Sequence, residues 1–148
     1  MDNATLEAEW SRQIEPYRRT HVLRDLVIAR FLYLELMDML VREQMARGIQ
    51  ISDIFTTPQG GARFVMSMPS SAVTVSMKAQ YHQDRNRRWA SNDLYDIDAL
   101  ALAIPYCDVV FTDASARDAA MRRGLDRHFN TMLPRRPEEL TSALHALD

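Results

Sequence analysis

The chain has 148 residues, 47% of them hydrophobic, with four glycines and a formal net charge of −2. That composition excludes a disordered or fibrous polymer and gives a single domain spanning 1–148 enough material to bury a core. The near-neutral charge supplies no global attraction to nucleic acid, so any such contact needs a local patch. A single cysteine, Cys107, rules out an internal disulfide and suits a reducing cytoplasm. It lies between two expected elements and is read as a buried, inert thiol. No signal-type apolar segment opens the chain, and no apolar run reaches the roughly 18 residues that a membrane span requires. The nine methionines are expected as gap-fillers in the core.

In chain order, residues 4–15 read as an amphipathic helix with Leu6, Trp10, Ile14 and Tyr17 on one face, halted near Pro16. A longer helix is expected over 19–47, apolar around most of its circumference and ended by Gly48 as a C-cap. Together these make an N-terminal helical part, 1–48. Residues 49–63, with Thr56-Thr57-Pro58 and Gly60-Gly61, read as a turn-rich connection. Two readings compete next. Phe64, Met66, Met68 and Val73, Val75, Met77 alternate like a hairpin around Pro69, while Ser70 or Ser71 can cap a helix reaching about Arg85. Pattern alone prefers the hairpin.

Asp93–Ile104 then reads as a helix capped by Asn92 and stopped by Pro105, with Ile97, Leu100, Ala101 and Ile104 on one buried stripe. Val109–Asp113 reads as a buried strand, 115–123 as a short helix closed by Gly124, and 131–133 as an edge strand. The last helix begins with Pro137 and is expected to bury Leu140, Ala143, Leu144 and Leu147.

The candidate chemistry is carboxylate chemistry. Asp93 and Asp96 extend the buried stripe toward the helix start, Asp98 points elsewhere, and Asp113 closes the strand, so three acids are expected to converge. Acids held together repel one another, and a hard divalent cation relieves that repulsion. Acids in a first helical turn are also favoured by the helix dipole alone. Both readings stand on the residues.

Asn92-Asp93-Leu94-Tyr95-Asp96-Ile97, Leu100, Ala103, Asp108 and Val109-Val110-Phe111-Thr112-Asp113 together resemble the C-terminal half of a PIN domain, over residues 65–145. Asp96 with Ala103 matches the family's helix-opening acid and following alanine, and Thr112-Asp113 matches its strand end. The resemblance implies a helix-rich α/β/α sandwich with a small parallel sheet, and it favours the helix from Ser71. It further implies Mg²⁺- or Mn²⁺-dependent endoribonuclease activity, with Asp93, Asp96 and Asp113 as catalytic acids and metal ligands. Single-stranded RNA and a protein inhibitor are the partners it implies. The family's opening strand, which ends in an Asp, has no counterpart in the first 47 residues. Either a longer protein or a divergent member is expected. The missing strand and the apolar 19–47 helix both lead to an expected homodimer.

Beside the acids, Lys78, Tyr81, His82, Arg85, Arg87, Arg88 and Trp89 form a basic, aromatic run. Lys78, Arg85, Arg87, Arg88 and Trp89 are candidates for holding RNA phosphates and stacking on a base, against the plainer reading of a solvated helix end. Glu35 and Asp38 are read as rim residues or a fourth site acid. The four histidines lack zinc-ligand spacing, and no nucleophile elbow or phosphate loop is present. Two functions therefore follow: a metal-dependent endoribonuclease, or a noncatalytic PIN-like module that binds RNA or protein as a dimer.

Overall fold

A computed structural model describes residues 2–146, and these form helices joined by short connections. The elements are α1 (Asn3–Gln13), a 3₁₀ turn (Glu15–Tyr17), α2 (Val22–Phe31), a π turn (Leu32–Leu36) and α3 (Met37–Arg47). There follow α4 (Ile51–Ile54), α5 (Pro58–Ser67), α6 (Pro69–Gln83), α7 (Ser91–Ala103), α8 (Ala114–Arg122), α9 (Leu125–Phe129) and α10 (Pro137–His145).

This overturns the expected α/β/α sandwich. Among the described residues there is no strand ladder, only one isolated parallel bridge between Val109 and Met132. Val109-Val110-Phe111 has strand propensity, but a sheet needs neighbouring strands. Here the sole extended neighbour is the short 131–133 segment. It contributes two bonds, Val110 N–H to Met132 O at 2.9 Å and Met132 N–H to Asp108 O at 2.8 Å.

α6 is the centre of the fold. Val73, Met77 and Tyr81 pack into one apolar cluster with Ile97, Leu100 and Ile104 of the α7 region and Ala116 and Ala120 of α8. Val75 and Ala79 pack into a second cluster with Ile14, Val27, Ile28 and Val65. A helix buried on opposite faces carries apolar residues all round, which is why Val73, Val75 and Met77 mimic a strand's alternation. The α5–α6 junction at Met68 is extended, φ −89° and ψ 115°, because Pro69 disfavours a helical residue before it.

Other expectations fare unevenly. The expected 19–47 helix runs without a gap from Val22 to Arg47 with the π turn inside it, and Gly48 caps it in the left-handed region at φ 66°. α1 buries Ala4, Glu7 and Ser11, while Leu6 and Tyr17 are exposed. The 49–63 connection contains α4 and the start of α5, the latter capped by Thr57 accepting from the Gly60 N–H. Cys107 is exposed, not buried. Met77 is fully buried, but Met39, Met45, Met121 and Met132 are exposed. α10 keeps its Pro137 start yet buries none of its residues, and Leu147 lies outside the described residues. No helix among them is long and apolar enough to cross a membrane.

Candidate functional site

α7 begins at Ser91, two residues earlier than Asn92 suggests, so Asp93 falls at the third helical position. There its Oδ2 accepts the Ala90 N–H at 2.9 Å and its Oδ1 takes the Arg87 guanidinium. Arg87 lies over the Tyr81 ring, 3.6 Å from its centroid, and also donates to Ser115 Oγ at 2.7 Å. Asp113 caps α8, accepting from the Ser115 and Ala116 N–H groups at 2.8 and 3.1 Å. Asp96 has no hydrogen-bond partner among the described residues. Partial burial, then the negative charges of Asp113 and Asp93, raise its carboxyl above the usual carboxylate range, with Arg87 opposing. The α7 start and the end of the extended segment thus face one another, while Asp98 borders a separate cleft with Glu7, Arg30 and Lys78.

The test for a resident divalent cation is the donor set. Two of the three acids already serve as helix caps, and Asp93 carries a guanidinium as its counter-ion. Among the described residues no group of three or more His, Cys, Asp or Glu side chains is placed to hold a metal ion. As arranged, the residues do not fit Mg²⁺ or Mn²⁺. Glu35 and Asp38 are exposed on the π turn and α3.

The basic run is largely engaged within the fold. Lys78 meets Glu7 at 3.1 Å, Arg85 reaches Glu15 at 2.5 and 2.8 Å, and Arg87 holds Asp93. Trp89 packs against the first apolar cluster, leaving Arg88 exposed. Farther along the chain, Arg117 donates to the Leu133 carbonyl and Arg123 to Gln83.

One cluster escaped the sequence reading. Glu7 is buried and receives both carboxylate contacts from Arg30 at 2.7 and 2.8 Å, Lys78 at 3.1 Å and His82 Nε2 at 3.0 Å. His82 is fully buried, with the Trp10 and Trp89 rings each 4.7 Å from its own. Burial lowers the imidazole below its ordinary range against the opposing pull of Glu7. For Glu7, burial pushes the carboxyl up, but the His82 hydrogen bond and the Lys78 and Arg30 charges bring it down to about 2. His82 is therefore a neutral donor at Nε2. Its Nδ1 is buried with no partner among the described residues. The cluster ties α1, α2 and α6 together across 75 residues of sequence. The available signal was a glutamate on the stripe Ala4, Glu7, Ser11, Ile14, obscured by the bulkier residues of the neighbouring face. Comparison with protein-family models, with curated proteins and with solved structures gives no match for this chain.

Proposed function

We propose that this chain is a noncatalytic helical module of the cytoplasm whose α3 arm holds a second copy of itself. The observation that carries this reading is the arm's isolation. α3 packs chiefly on the π turn and α4, and Leu40 is its one buried residue. Tyr33 and Leu34 on the π turn and Met39 and Met45 on α3 are exposed. Apolar side chains left on a protruding helix favour a partner that covers them. Two-fold pairing with the same stretch of a second copy covers these side chains on both partners at once. Light scattering should report twice the chain mass at roughly tens of micromolar, above the dissociation constant of a stable interface. A clean monomer there sinks the reading.

A second reading is favoured by the unpartnered Asp96 facing Asp113 and Asp93: RNA cleavage dependent on Mg²⁺ or Mn²⁺ at these acids. It requires Arg87 to leave Asp93. Its expected result is cleavage of single-stranded RNA that vanishes with EDTA and in Asp96→Asn, but persists in Asp98→Asn. RNA left intact by the wild-type chain with Mn²⁺ present goes against it.

A further inference from the structure

The extended segment 109–112 has two edges, and only one is used. In the parallel bridge to Met132, the bonds go through Asp108 O and Val110 N–H. Alternation of a strand's backbone directs the N–H and C=O of Val109 and Phe111 to the opposite edge. There they make no hydrogen bond to the described residues. Phe111 is 47% exposed, so the segment lies at the surface.

The charged residues that flank the edge in sequence are acids. Asp108 and Asp113 bracket it and are exposed, and Asp96 sits close enough to Asp113 to be raised by its charge. Two cations at this end are occupied: Arg87 on Asp93 and Ser115, Arg117 on the Leu133 carbonyl. A second copy suits the edge poorly, because antiparallel self-pairing centred on Phe111 brings acids of both copies to the same short ladder. We propose that this edge accepts an extended, lysine- or arginine-bearing segment of another protein, which adds as a strand beside Val109–Phe111. The donors and acceptors of Val109 and Phe111 bind its backbone, Phe111 covers an apolar side chain on its own face, and Asp108, on the opposite face, meets its cations. This surface is separate from the α3 arm, and the proposal does not depend on self-association.

The test uses the full chain with a short peptide of alternating lysine and valine, read by amide hydrogen exchange and by titration. The peptide should slow exchange at Val109 and Phe111 by about tenfold or more, since each amide gains a hydrogen bond. The same peptide N-methylated at alternate backbone nitrogens, or with glutamate in place of lysine, should give no protection. Asp108 makes no side-chain hydrogen bond among the described residues, so D108K should retain the wild-type circular dichroism and weaken binding about tenfold. F111A provides an independent loss of affinity. Equal binding of the N-methylated peptide would overturn strand addition. Full protection of both amides in the free protein, or protection that grows with protein concentration alone, would overturn the proposed occupant in favour of this chain itself.

Discussion

Glu7→Ala is expected to destabilise the protein by about 3–5 kcal/mol, the cost of removing one partner from a buried ion cluster. The reason is what remains: Arg30, Lys78 and the Nε2–H of His82 all converge on Glu7. Without the carboxylate, two partly buried cations and a fully buried donor lose their acceptor. In a chain of this size each kcal/mol moves the melting temperature by about 2–4 °C, so a fall of roughly 10 °C is expected. Chemical denaturation at neutral pH checks the free energy directly. A loss below about 1 kcal/mol, the size of an exposed pair, would show that the cluster is not what joins α1 to α2 and α6. Glu7→Gln keeps an acceptor in place and should cost less than the alanine.

The second large effect is acid sensitivity. Glu7 has a folded-state pKa of about 2 against an ordinary 4.5. A depressed acid contributes stability that is complete above pH 4.5 and is lost as pH falls through 2. That gap corresponds to about 3 kcal/mol. His82 acts in the same direction. Its pKa is lowered on folding by burial, so the neutral form is favoured inside, and stability declines once pH drops below the ordinary 6.5. Stability should therefore fall continuously on acidification from neutral pH, steepening below about pH 4.5. In Glu7→Gln the Glu7 contribution to that lower limb should disappear. A wild-type profile that is flat between about pH 7 and pH 3, or a variant as acid-sensitive as wild type, contradicts this assignment.

What was legible in the sequence follows the range of the interactions involved. α7 could be read because its stripe is local: Ile97, Leu100, Ala101 and Ile104 are all buried. Gly48 and Gly124, both at φ 66°, and Pro137 as helix start could be read because caps are local too. α6 could not be separated from a hairpin by pattern, since burial on two sides erases the helical period. The sheet was misjudged because strand propensity is a property of a segment, whereas a ladder is a property of its neighbours. At the acid end, the spacing of Asp93 and Asp96 placed them on one side of α7. It did not reveal that Arg87, six residues before Asp93, would serve as its counter-ion. The Glu7–His82 contact, across 75 residues, has no local signature at all.

The α3 arm is the centre of the functional reading, and its coverage can be measured in place. Amide hydrogen exchange compared between dilute and concentrated protein reports which segment a second copy covers. The expected result is protection that rises with concentration and is confined to the π turn and α3, Leu32 through Arg47. Exchange in α3 that is independent of concentration, or concentration-dependent protection located elsewhere on the chain, would contradict it.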